Sequence, residues 1–253
     1  MGLKPFALGL ALSLLQLAAA AADDMARFAI IKQGRIVGHT SFSLKQNGGK
    51  VHLIAHGEFN VPQNFADPSG DRMAPVFSGD YRRDSTLDAN YGFLTEALTL
   101  EVGVQRQTSY IAPSGRSLVI ATGAQSTESR SDVLVDLHPN TVVVPQFDVA
   151  GIEVLLRMRA KLPADAKMWV VIPNAEFPVE IADTGEGAGS VGGVDVALKC
   201  YRIKFAKVVM EAYADPSLNL MYVSVSTERA AYRRDGFKMT KYLHPAKRPA
   251  EGR

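Results

Sequence analysis

The side chains best suited to chemistry gather near the start of the chain. His39, His52 and His56 lie in "GRIVGHTSFSLKQNGGKVHLIAHGEF", residues 34–59, with Glu58 close by. Imidazole and carboxylate are the ligands of a zinc site and the proton carriers of acid–base catalysis. Spacing argues against both uses. At about 3.3 Å per residue, His52 and His56 on one strand stand roughly 13 Å apart, too far to share an ion. A cross-strand pair, His39 with His56 or with Glu58, offers two ligands where structural zinc takes four and catalytic zinc three from the protein. His138 and His244 fall in a turn and in the tail. A solvated polar sheet face is therefore expected, with no metal, no cofactor and no catalytic residue. Were the protein an enzyme, the face carrying His39, His56 and Glu58 is where its chemistry would lie.

Other motifs fail on context. "GEGAGSVGG" holds Gly187, Gly189 and Gly192 at dinucleotide-fingerprint spacing, and Ser190 sits in a faint imitation of a nucleophile elbow. Both motifs need a following helix, whereas "VDVALKCYRIKF" alternates as a strand, so a flexible loop is expected instead. Asp132 and Asp136 alternate along a strand, and Glu96, Glu101 and Asp183 read as single solvated charges. Cys200 is the only cysteine. It cannot form a disulfide within one chain, and its alternating apolar neighbours predict a buried strand thiol.

The elements that position these residues read mainly as strands. Side-chain parity puts Ile36, Gly38, Thr40, Phe42 and Leu44 on one face, and in the partner Val51, Leu53, Ala55, Gly57, Phe59 and Val61. The turn admits two registers with the same buried face. Asn47-Gly48 at its centre sets His39 opposite His56, and Gly48-Gly49 sets His39 opposite Glu58. "MARFAIIKQGR" supplies an earlier strand with a turn at Gln33 and Gly34, making a meander. Residues 62–90, rich in Pro, Gly and Asp, read as a long loop, either a lid or a disordered insertion. Strands follow at "ALTLEVGVQ", 106–112, 117–123 and 132–144. One helix is predicted over 148–162, capped by Asp148, striped by Ile152, Leu155, Leu156 and Met158 or Arg159, and stopped by Pro163. Further strands run through "KMWVVIP", "FPVEIA", "DVALKCYRIKF", "KVVMEAYAD" and "NLMYVSVSTERAAYRR". The expected fold is mainly β: a curved antiparallel sheet forming a half-barrel or barrel around one packed helix.

Compartment follows from the ends. "MGLKPFALGLALSLLQLAAAAADD" has an early Lys4, an apolar run from Phe6 to Leu17 and an alanine tract, which together read as a secretory signal over 1–22. Its apolar run is shorter than the roughly 20 residues of a spanning helix, and no later segment offers a span. A single β-rich domain over 23–243 and a disordered basic tail over 244–253 are expected, in the periplasm or secreted. Subtracting Lys4 from 28 basic residues leaves 27 against 26 acidic ones. Their scatter predicts no nucleic-acid partner.

The stretches "FAIIKQGRIVGHTSFSLKQ", "VVVPQFDVAGIEVLLRMRAKLP", "DVALKCYRIKF", "VVMEAYADPSLNLMYVSV" and "RRDGF" resemble uncharacterised exported bacterial proteins similar in fold to periplasmic lipoprotein carriers. That resemblance implies a curved sheet closed by a helix, with a hydrophobic groove and no assigned catalytic residue; the long 62–90 loop departs from it. A sheet of this size has an inner face too large to leave wet. An apolar or amphipathic ligand, a lipid or acyl chain, is expected against it, with Phe42, Leu53, Phe59, Leu98, Leu100 and Trp169 as candidate ligand-binding residues. The alternative partner is an envelope protein docking on a fully packed module.

Overall fold

The computed structural model describes residues 25–62, 76–124, 127–145, 148–172 and 175–241. The expected signal over 1–22, the tail over 244–253 and the centre of the expected 62–90 loop lie outside them. Sixteen strands join in one sheet. They are β1 (Ala26–Lys32), β2 (Arg35–Asn47), β3 (Lys50–Pro62), β4 (Val76–Asp88), β5 (Phe93–Val102), β6 (Gln105–Ser114), β7 (Ser117–Ala124), β8 (Thr127–Asp136), β9 (Thr141–Val143), β10 (Met168–Ile172), β11 (Ala175–Val191), β12 (Val194–Phe205), β13 (Val208–Ala214), β14 (Leu220–Val225), β15 (Ala230–Arg234) and β16 (Phe237–Lys241). Among the described residues one α-helix, α1 (Ala150–Lys161), interrupts them. The fold is mainly β, a curved, unclosed antiparallel sheet of half-barrel type.

Two meanders make the sheet. β8 to β1 run in reverse chain order, β1 pairs β15, and the order continues through β14 down to β9. The first strand is thus a central seam between halves. The outer edges, β8 and β9, are consecutive in the chain. Five residue steps separate Asp136 from Thr141, so those edges lie within about 18 Å of each other at that end, yet no ladder joins them among the described residues. Among the described residues β9 and β10 form the one parallel pair, and α1 is the crossover between them.

The helix fills the concavity. Every residue from Ala150 to Leu156 is buried, as is Met158, so the predicted stripe is in fact burial all round. Around it one continuous cluster joins Phe28, Phe42, Leu53 and Phe59 of the first meander to Ile203, Leu220 and Val223 of the second. Phe28 and Phe42 stack at 5.7 Å. Among the described residues no helix is long and apolar enough to cross a membrane.

Several local expectations change. The β2–β3 hairpin turns on Gly48 and Gly49, with φ of +55° and +77°, the positive angles of the tight turn whose twist suits paired strands. That register sets His39 opposite Glu58. A bulge between Ile30 and Ile31, opposite Ile36 to Gly38, adds one residue and inverts parity. Ile36 therefore points out, 56% exposed, and Val37 points in.

The expected loop over 62–90 is corrected at both ends: β3 runs to Pro62, and 76–88 is β4, paired along its length with β3 and from Gly79 to Leu87 with β5. The single strand expected over 132–144 is two, separated by "LHPN", where Pro139 cannot donate to a ladder.

"GEGAGSVGG" is not a loop either. It is strand through Val191, followed by a turn at Gly192 and Gly193. Its glycines let β16 lie close: a Cβ on Gly189 would meet the Phe237 ring at 2.3 Å and the Lys238 carbonyl at 2.8 Å. Gly189→Ala is therefore expected to cost about 1–3 kcal/mol, read from the urea midpoint. Gly123→Ala, where nothing lies within 4 Å, should cost far less.

Candidate functional site

The inward face of β4 is unusual for a sheet core. Tyr81, Arg83, Ser85 and Leu87 all point inward and are buried. A guanidinium cannot stay charged there without acceptors for its donors. Four groups supply them. Nε donates to Glu96 Oε2 at 2.8 Å and to Ser85 Oγ at 2.9 Å, Nη1 to Asp148 Oδ2 at 2.5 Å, and Nη2 to the Val143 carbonyl at 2.9 Å. Glu96 faces Ser85 directly across the β4–β5 ladder, and its Oε2 also accepts from Ser85 Oγ. Asp148 Oδ1 accepts the Ala150 N–H at 2.8 Å and faces the Tyr81 hydroxyl at 3.5 Å, which in turn meets Thr40 Oγ1 at 2.6 Å. β2, β4, β5, β9 and the start of α1 thus converge on one cation.

Electrostatics follow from burial. Desolvation disfavours charge on Arg83, but Glu96 and Asp148 outweigh it and the guanidinium is held more firmly protonated than usual. Burial pushes the Glu96 carboxyl up despite the attraction of Arg83, and Glu96 Oε1 has no partner among the described residues. Burial, then the Asp148 carboxylate, raises the Tyr81 phenol.

Two further clasps hold α1. Buried Glu153 accepts the Leu220 N–H at 2.9 Å and the Arg157 guanidinium at 2.8 Å, while Arg157 donates to Asn219 Oδ1 at 2.9 Å. Asn219 is itself fixed by Asp215 across the β13–β14 turn. At the other side Lys161 Nζ donates to the Ala89 carbonyl at 2.5 Å and lies 5.0 Å over the Tyr91 ring, on the β4–β5 turn. The helix is tied to both halves of the sheet.

Beside its N-terminal end lies a cavity of about 270 Å³, bounded by Val144, Val149 and Ile152 on one side and by Phe205, Met210, Val223 and Tyr232 on the other. None of the six residues expected to bind ligand lines it. Phe42, Leu53 and Phe59 are core residues of the other meander, each at most 2% exposed. Leu98 and Leu100 are half-buried against the same core. Trp169 stands apart from them: Met168 and Val170 point into the core, while Trp169 stacks on His138 at 4.0 Å. His138 bonds Glu176, which also accepts from Thr141 Oγ1.

His39, His56 and Glu58 are exposed and border a polar groove with Arg27, Ser41 and Asp235. Among the described residues no three potential ligands are placed to hold a metal ion. Cys200 is buried, and burial pushes its thiol up.

Sequence reasoning missed the ionic cluster. Glu96 is not the solvated charge expected of it, because it is buried on the neighbouring strand against Arg83, and Asp148 binds a guanidinium as well as the helix start. The visible signal was "YRRDSTLD", whose alternate residues Tyr81, Arg83, Ser85 and Leu87 share a face only once the segment is taken as a strand.

Removing one member of a buried ionic group strands the others. Arg83→Met is expected to lower stability by about 3–5 kcal/mol in thermal or urea unfolding. Glu96 gives a pH test. Its folded value lies above its unfolded one, about 4.3, so its stabilising share is complete below that pH and is lost as pH rises through the folded value. The stability of the wild type minus that of Glu96→Gln should therefore fall from pH 4 towards neutrality, roughly across the carboxylate range. A flat difference would reject the assignment. No protein-family model matches the chain, and no curated protein matches it in sequence.

Proposed function

We propose that the chain is a noncatalytic exported protein that holds an apolar or amphipathic ligand, a lipid or acyl chain, inside its curved sheet. The observation that carries this reading is the cavity of about 270 Å³ walled by Val144, Val149, Ile152, Phe205, Val208, Met210, Val223 and Val225. Its size sits near the lower end of small-molecule pockets, about 300–1,000 Å³, and suits one short acyl chain or the end of a longer one. Apolar walls reward such a guest by removing hydrocarbon from water. The N-terminal stretch, which reads as a secretory signal, supports a periplasmic or secreted location.

A second reading has its own support. The expected residues Phe42, Leu53 and Phe59 are buried against protein, so the first meander is solidly packed. That favours an envelope module which docks a partner protein.

Native mass spectrometry of protein purified without detergent from an exporting host separates the two. The expected result is a bound apolar adduct in the wild type and its loss in Val225→Phe, which fills the cavity while circular dichroism stays unchanged. A bare mass for the wild type, with no lipid in the organic extract, would favour the packed module.

A further inference from the structure

The walls of the cavity say little about which amphiphile it takes; its few polar side chains say more. Three ionisable residues line it, Asp148, Glu228 and Tyr232, and no basic residue is among the described lining. Asp148 is buried and committed: its oxygens accept from Arg83 Nη1 and the Ala150 N–H and face the Tyr81 hydroxyl. It also occupies the positive end of α1, which would otherwise attract an anion. Glu228 closes the short 3-10 turn Ser226–Glu228 and is exposed while lining the cavity, so it stands at the mouth. Tyr232 is buried in the wall, and its hydroxyl makes no hydrogen bond with another described residue. The cations next in sequence to lining residues, Lys204, Lys207, Arg229 and Arg233, are all exposed and outside the described lining.

We infer that this cavity takes the hydrocarbon chain of an amphiphile whose head is neutral or cationic, and turns away anionic heads such as that of a free fatty acid. The inference rests on the ligand-binding reading above. With the chain among Ile152, Phe205, Met210 and Val223, the head reaches the mouth beside the Glu228 carboxylate, with the Tyr232 hydroxyl free to bond it. A carboxylate head there meets like charge with no basic side chain in the described lining to offset it. An ammonium pairs with Glu228, and an alcohol bonds Tyr232.

Three probes of one chain length, decylammonium, decanol and decanoate, test this by calorimetry on the delipidated exported protein at low salt. Decylammonium and decanol are expected to bind, with decanoate at least about tenfold weaker than decylammonium. Glu228→Gln should shrink that gap to about threefold or less and leave decanol unchanged. Val225→Phe should weaken every probe that binds. Decanoate binding as well as decylammonium, a gap that ignores Glu228→Gln, or binding indifferent to Val225→Phe would each overturn the head-group inference while leaving a lipid-binding role standing. Binding of none of the three, with no native adduct, would remove that role too.

Discussion

A charged guanidinium in the middle of a protein core is the constraint around which the remainder is arranged. Desolvating Arg83 costs several kcal/mol, and only a complete set of acceptors offsets it. Those acceptors come from separate places: Glu96 and Ser85 from the β4–β5 ladder, Asp148 from the entry to α1, and the Val143 carbonyl from the end of β9. Hydrophobic contact is tolerant of small displacements, whereas these bonds are not. The cluster therefore fixes where the chain, having left one edge of the sheet at β8, begins the other edge at β9 and enters the helix. The apolar interior then packs around a helix whose start is already determined.

The two halves of the concavity differ in consequence. Against the first meander the helix and the aromatic side chains Phe28, Phe42 and Phe59 leave a solid core. Against the second, a cavity is left between the helix start, at Val149 and Ile152, and the sheet residues Phe205, Val208, Met210, Val223, Val225 and Tyr232. The hollow thus lies next to the ionic cluster. Asp148 belongs to both, which couples the wall of the cavity to the anchoring of the helix.

How far the sequence reveals this depends on how regular each element is. The hairpin of β2 and β3, the helix and most later strands are legible because apolar residues recur at the period of the element. Parity even places Phe42, Leu53 and Phe59 correctly on the inner face, though it cannot say whether that face meets protein or a guest. β4 was hidden by the residues that matter most: Arg83 and Ser85 occupy inward positions where a periodicity argument expects hydrocarbon. Ile36 and Val37 exchanged faces because a bulge adds a residue, which no alternation rule contains. The cavity was illegible for a different reason. Its walls come from β10, β12 to β15 and the segment Val144 to Ile152, which face one another only because the helix crosses over between β9 and β10, a long-range placement that no local pattern encodes.

The seam between β1 and β15 has a consequence for the order of events in folding. Ile30 pairs Tyr232, so the strand at the middle of the sheet finds one neighbour almost at once and the other only near the far end of the chain. Each meander can zip from its own hairpins, but joining them requires closing a loop of nearly the whole polypeptide, and such non-local pairing is slow. Until then β1 presents an open hydrogen-bonding edge. A nascent copy thus cannot complete its sheet until strands near the far end of the chain have been made.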